Sequence, residues 1–304
     1  MTVRLAEAIG MEKIIDVARR FGIDEGLGPY LAASLGSNEV TALQLTGAYA
    51  SLVNGGKRVT PALVERIQDR RGRTVLRRDA RPCEGCQAEV AWDGGPPPTL
   101  PDNREQVVDP RHAYQMVLML EGVVERGTAE AAKAIGKPLA GKTGTTNDSK
   151  DAWFVGFSPD LVVAVWLGYD QPRGMGDRET GASVALPPWI EIMRGALADE
   201  PGLPFRTPPG VHLVRIDAAT GRLPGPDSKT VIAEAFLPGT EPFRRGEDEA
   251  DDSGGTVLSG DDFSDFEGTR LLTPGPDNLG DLPPPVTARR PPPEPAPSTD
   301  SGLY

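Results

Sequence analysis

An α+β fold is expected for this chain of 304 residues, and three observations predict it. Apolar residues recur at helical spacing through much of the first 135 positions. Three short runs rich in β-branched and aromatic residues then follow in close succession after Gly136. The composition changes sharply near residue 242, so the folded part is expected to occupy residues 1–242 and a separate segment residues 243–304.

Taking the elements in order, Leu5, Ile9, Ile14, Ile15 and Val17 keep near-helical spacing through residues 2–21, and Gly10 divides that stretch into two helices. A third helix is expected from Glu39-Val40-Thr41, carrying Leu43, Leu45, Tyr49 and Leu52 and stopping at Asn54-Gly55-Gly56, a glycine C-terminal signal. Residues 59–78 alternate and turn at Asp69-Arg70-Arg71-Gly72, which reads as a hairpin. Residues 79–108 hold many Gly and Pro and read as an irregular excursion. Helix returns over 111–124 and again over 128–135, where Ala129 to Ala134 are strong helix formers. Residues 139–146, 152–157 and 161–169 read as three strands, joined by Asn147-Asp148-Ser149-Lys150 and Ser158-Pro159-Asp160. A short helix over 187–197 follows, then a strand over 211–216, a turn at Asp217-Ala218-Ala219-Thr220-Gly221 and a partner strand over 232–236. No internal repeat of 20 to 50 residues is present.

The charge is localised. From Glu241 to Tyr304 there are 14 acidic and 5 basic side chains, about −9 of the total of −12, together with 11 of the 31 prolines. Acidity therefore belongs to this tail and not to a binding face. Such a stretch buries too little apolar surface to offset chain entropy, so disorder is expected, with a partner-binding polyproline segment as the alternative. No run approaches the length that crosses a bilayer, and the N-terminus lacks the basic flank and apolar stretch of a signal peptide. Cys83 and Cys86 cannot complete a tetrahedral zinc site, and neither His112 nor His212 has ligand spacing to them. A local disulfide, free thiols and redox chemistry stay open for the pair. No metal and no cofactor is expected.

Residues 140–157 read Ala-Gly-Lys-Thr-Gly-Thr-Thr-Asn-Asp-Ser-Lys-Asp-Ala-Trp-Phe-Val-Gly-Phe, the most specific run in the chain. It overlaps a decoy, because Gly136-Lys137-Pro138-Leu139-Ala140-Gly141-Lys142-Thr143 fits the Walker A pattern letter for letter. A phosphate loop needs a strand before its first glycine and a helix starting at the Lys-Thr pair. Here a helix-like Ala run precedes and a strand follows, so no nucleotide is expected, and no nucleic-acid partner either. His112 and His212 sit in no triad pattern. Trp153, Phe154, Trp166 and Tyr169 are expected to pack a core or line a cleft, and Asp148 and Asp151 to be turn residues.

The Lys-Thr-Gly triplet Lys142, Thr143, Gly144 resembles the third signature of the penicillin-binding proteins and serine β-lactamases. The run Val123-Val124-Glu125-Arg126-Gly127-Thr128-Ala129, the strand Asp151 to Pro159, Val165-Trp166-Leu167-Gly168-Tyr169-Asp170 and Phe236-Leu237-Pro238-Gly239-Thr240 extend the match. In that order they resemble bifunctional class A penicillin-binding proteins of the 1A type, over roughly residues 1–242. The other two signatures are missing: no Ser has Lys three positions later or Asn two positions later. The resemblance thus implies the C-terminal portion of a serine β-lactamase/D,D-transpeptidase-like domain, lacking the N-terminal strands and the Ser-x-x-Lys helix.

The resemblance further implies that the parent protein cross-links peptidoglycan stem peptides through a serine acyl-enzyme. It would do so on the periplasmic side of the bacterial inner membrane, with an anchor and a glycosyltransferase domain upstream that this chain does not carry. Lys142 would set a positive field, and Thr143, Gly144, Thr145 and Thr146 would bind the carboxylate end of a D-alanyl-D-alanine peptide or of a β-lactam. The backbone N–H of Thr145 would be one of two oxyanion donors, each typically worth roughly 3 kcal/mol in the transition state. The nucleophile would come from elsewhere, so the chain alone is expected to be inactive and poorly stable, with its 161–169 strand lacking a neighbour. Cell-wall assembly proteins are possible partners. The alternative is a non-catalytic cell-wall-associated binding or scaffold module.

Overall fold

The computed structural model describes residues 1–23, 26–83 and 100–242. The expected acidic segment over 243–304 and Cys86 lie outside the described residues, while Cys83 is disulfide-bonded. Among the described residues, helices α1 (Thr2–Ile9) and α2 (Met11–Arg20) come first, separated by Gly10 as the spacing predicts. They bury Ala6 and Met11 against Ala33 in a small cluster of their own.

Helix α3 (Ala42–Val53) starts on a capping box in which the Thr41 hydroxyl accepts the Gln44 N–H and the Gln44 side chain accepts the Thr41 N–H. Buried Ser51 ties its last turn to the outgoing chain, donating to the Gly47 carbonyl at 2.8 Å and accepting the Val59 N–H at 2.8 Å. The hairpin that follows is shorter than the alternation suggests, with β1 (Arg66–Gln68) antiparallel to β2 (Thr74–Arg77) and every residue of both strands exposed. Glu65 continues the pairing, its carbonyl accepting the Arg78 N–H at 2.9 Å, whereas Val59 is held to the end of α3 by Ser51 and neighbouring Lys57 bridges to Gln106.

Helix α4 (Pro110–Arg126) is capped by Asp109, whose carboxylate accepts the Arg111 N–H, with Pro110 at the first helical position. The helix expected over 128–135 is a 3₁₀ segment, Glu130–Ile135. Its bonds run three residues back and not four, from the Ala132 N–H to the Ala129 carbonyl and from the left-handed Gly136 N–H to the Lys133 carbonyl, both at 2.9 Å. The central sheet then forms from β3 (Ala140–Thr145), β4 (Asp151–Phe157) and β5 (Val162–Gly168), all antiparallel in the order β3-β4-β5. A π-turn over Gly181–Ala185 leads into α5 (Leu186–Ala196). The strands β6 (His212–Asp217) and β7 (Val231–Phe236) make a closing hairpin, as the sequence indicates.

Alternation along β4 assigns its side chains to two cores. Ala152 and Phe154 pack with Ala185, Leu186, Trp189 and Met193 from the π-turn and α5. Phe157 turns the other way, with Ala140, to meet Tyr114, Val117 and Leu120 of α4, Phe205, and Ala235 of β7. Edge-on aromatic contacts anchor both, Phe154 to Trp189 at 4.8 Å and Phe157 to Phe205 at 5.7 Å between centroids. Full burial of each such side chain contributes about 1.5–3 kcal/mol, so the sheet is held from both faces. Trp189 also donates its indole N–H to the Val163 carbonyl, 3.1 Å, which satisfies its polar atom inside the core. Trp166 and Tyr169 are not core residues: each is 43% exposed, with Trp166 donating to Asp151 Oδ1 at 2.9 Å and the Arg173 guanidinium 3.9 Å over the Tyr169 ring.

Candidate functional site

The Lys-Thr-Gly run lies along β3, and β3 is an edge strand among the described residues. What that edge presents follows from the phase of the ladder. The Thr146 N–H bonds the Asp151 carbonyl at 3.1 Å, and β3 pairs with β4 in the same register down to Ala140 opposite Phe157. In an antiparallel ladder, directly opposed residues alternate between bonded and non-bonded pairs. Gly144 opposite Trp153 and Lys142 opposite Val155 are therefore bonded pairs, whereas the backbone groups of Thr143 and Thr145 point off the free edge. A row of main-chain donors and acceptors is thereby aimed outward beside the Lys-Thr-Gly side chains.

Side chains alternate independently of that row. Thr143 and Thr145 share one face of β3, and Lys142 and Gly144 the other. The exposed Lys142 ammonium donates to the Thr143 carbonyl at 2.8 Å, so it rests against the edge itself. The Thr143 hydroxyl lies 3.0 Å from that of Thr128, just beyond α4. The Thr145 hydroxyl accepts the Gly181 N–H at 3.0 Å. Gly181 is compulsory there: a Cβ on it would meet the Trp153 carbonyl at 2.3 Å and the Gly144 carbonyl at 2.7 Å, both backbone atoms that cannot swing away. The turn is fixed in turn by Thr180 and Ser183, each side chain bonding the other's backbone N–H.

Thr146 is placed differently from the other residues of the run. It lies just past the end of β3, and its hydroxyl accepts the Asp151 N–H at 2.7 Å, so it closes the β3–β4 turn. Asp148 sits in that turn with a left-handed φ of 61°, as expected of a turn residue, but Asp151 is the first residue of β4. Around the Walker A spacing, a 3₁₀ segment precedes Gly136, and Lys142 and Thr143 are on a strand and not at a helix N-terminus.

The site is an open edge and not an enclosed chamber. A cavity of about 1080 Å³ lies elsewhere, against Leu63, Arg66, Arg77 and Cys83 at the β1–β2 hairpin. His212 is tied to Glu241 through Nδ1 at 2.8 Å, at the closing hairpin. Among the described residues no group of three or more His, Cys, Asp or Glu could hold a metal ion, and no helix is long and apolar enough to cross a membrane. Two of the residues that set the site's geometry, Thr128 and Gly181, carry no local sequence signal of that role. Their contacts span 15 and 36 positions.

Comparison with known proteins bears on this arrangement. Residues 1–193 match the penicillin binding protein transpeptidase domain, and residues 207–244 the C-terminal domain of penicillin-binding protein 1A. Penicillin-binding protein 1A of Rickettsia bellii is 45% identical over 237 residues, covering 78% of this chain and 30% of the relative. The protein of that name from Pseudomonas aeruginosa is 36% identical, with 78% and 32% covered. The chain thus spans about 30% of the length of the curated relatives it matches. Among solved structures, penicillin-binding protein 1A from Haemophilus influenzae superimposes with a TM-score of 0.65 at 29% identity, over 80% of this chain and 39% of that one. PonA1 from Mycobacterium tuberculosis shares the fold, with a TM-score of 0.52 at 22% identity over 66% of this chain and 56% of the other.

Proposed function

We propose, since this chain belongs to the penicillin-binding protein transpeptidase family, that it forms the Lys-Thr-Gly wall of a serine acyl-transfer site that cross-links peptidoglycan stem peptides. Lys142 supplies the positive field, the Thr143 and Thr145 hydroxyls receive the terminal carboxylate of a D-alanyl-D-alanine peptide or a β-lactam, and the outward Thr145 N–H is an oxyanion donor. Gly144 between them keeps the strand accessible to ligand backbone. The observation that carries this reading is the phase of β3, which aims the Thr143 and Thr145 backbone groups off an edge with no neighbouring strand among the described residues. An extended peptide laid along such an edge gains main-chain hydrogen bonds while the adjacent side chains read its charge.

The acyl-transfer step also needs a nucleophilic Ser and a base to take its proton. No serine in these 304 residues has a Lys three positions on, so the nucleophile belongs to another segment of the catalytic unit. This chain by itself then binds the anionic ligand without being acylated. The periplasmic face of the bacterial inner membrane is the location that this substrate class requires.

Two measurements on the purified chain test the reading. Titration with N-acetyl-D-alanyl-D-alanine is expected to show saturable binding that Lys142→Ala weakens about tenfold, the scale of one hydrogen bond to a charged group. Incubation with a labelled penicillin is expected to leave no covalent adduct. Affinity unchanged by Lys142→Ala contradicts the assignment of the wall, and a stoichiometric acyl adduct contradicts the missing nucleophile.

A further inference from the structure

The two hydroxyls on the β3 face are not equivalent in what holds them. A hydroxyl has one proton to give and two lone pairs to receive with, whereas a carboxylate only accepts. At Thr145 the direction is settled, because the Gly181 backbone N–H can only donate; the Thr145 oxygen receives that bond at 3.0 Å and its own proton is left to point elsewhere. At Thr143 the partner is another hydroxyl, Thr128 Oγ1 at 3.0 Å, and either oxygen can be the donor. If Thr143 gives its proton to Thr128, it has none to offer an anion. If Thr128 gives its proton to Thr143, both threonines of the β3 face become donors at once.

We propose that Thr128 is a positioning residue, whose hydroxyl donates to Thr143 and so presents Thr143 and Thr145 as a matched pair of donors to the carboxylate end of the ligand. This rests on the reading of the β3 edge given above. An anionic ligand selects the arrangement in which protons run from Thr128 to Thr143 to the carboxylate, and successive bonds in such a chain polarise one another. Thr128 does for Thr143 what the Gly181 N–H does for Thr145. The difference is one of adaptability. Gly181 is locked by the backbone crowding around it, whereas Thr128 lies on the exposed stretch after Gly127 and can turn its proton either way. With no anion present, the pair is free to reverse.

The test compares Thr128→Val, which keeps the shape and removes the hydroxyl, with Thr128→Ser, which keeps the hydroxyl. Thr128 is exposed, and an unchanged amide NMR spectrum away from the site confirms that each variant is folded; Thr128→Ala serves in place of Thr128→Val if that variant is not. N-acetyl-D-alanyl-D-alanine and its C-terminal amide are the two probes. Thr128→Val is expected to weaken binding of the acid about fivefold, the loss of one ordinary hydrogen bond, to leave the amide unchanged, and to be restored by Thr128→Ser. Wild-type affinity in Thr128→Val, with Lys142→Ala still weakening the acid, overturns the role of Thr128 and leaves the proposed function standing. Equal binding of acid and amide by the wild type, together with no effect of Lys142→Ala, overturns both.

Discussion

Outside the β3 edge, Glu121 on α4 is a carboxyl held well above its ordinary range. Burial pushes its carboxyl up to about 7, the neighbouring Glu125 and Glu234 carboxylates add to the rise, and Arg126 opposes it. Burial also raises Glu234 on β7, against the pull of Arg126, whose guanidinium donates to it at 2.8 Å. A carboxyl raised on folding binds its proton more tightly in the folded than in the unfolded state. Its contribution is therefore full below the unfolded value near 4.5 and is lost as pH rises through about 7. Each unit of separation corresponds to about 1.4 kcal/mol. Urea unfolding at several pH values is expected to show stability falling between roughly pH 4.5 and 7, and Glu121→Gln is expected to flatten that fall. A slope unchanged in the variant would place the titration on another group. Neither shift was legible in the sequence, where Glu121 reads as one more charge on a helix. The two carboxyls come together only because β7 packs against α4, where Gln115 donates to the Ala235 carbonyl at 2.9 Å.

At the scale of elements, local periodicity identified the strands and most helices because their signals are complete within a few residues. The Gly10 break, the Asn54-Gly55-Gly56 stop and the aromatic run of β4 are examples. The 3₁₀ segment after α4 and the start of the β1–β2 hairpin differ from the expectation because local composition does not decide between bonds three and four residues back, nor reveal that Val59 is held by Ser51 of α3. The expectation that the 161–169 strand lies at an edge matches β5, which pairs only with β4 among the described residues. Phase adds a sharper statement. The Ser158 N–H to Leu161 carbonyl bond sets the β4–β5 ladder so that Val163 and Val165 bond back to β4, while the backbone groups of Ala164 and Trp166 face away from it. Amide exchange is expected to alternate along both outer strands, slow at Val163, Val165, Lys142 and Gly144 and fast at Ala164, Trp166, Thr143 and Thr145. Uniform protection along β5 in the monomeric chain would contradict this register. Its outer edge carries no charge or proline to discourage pairing.

For the molecule as a whole, the membership of the chain in the transpeptidase family was well displayed by the sequence. The Lys-Thr-Gly strand, the turn after it and the aromatic strand follow one another along the chain, so their adjacency in space needs no distant contact. What the sequence displayed poorly is how the site is tuned. Thr128 and Gly181 reach β3 through the packing of α4 and of the turn before α5. Although Thr128 falls in a run that extends the family match, no local sign in the sequence marks the contact either residue makes. Thr146, which the resemblance places among the ligand-binding residues, also closes the β3–β4 turn, its hydroxyl accepting the Asp151 N–H.

The central claim is that the outer edge of β3 receives an anionic ligand end, and amide shift mapping during titration with N-acetyl-D-alanyl-D-alanine tests it most directly. The largest shifts are expected on Thr143, Thr145 and Gly181, and are expected to vanish when the terminal carboxylate is amidated. Shifts centred instead on the cavity beside Leu63, Arg66 and Arg77, or shifts at β3 indifferent to the carboxylate, would contradict it.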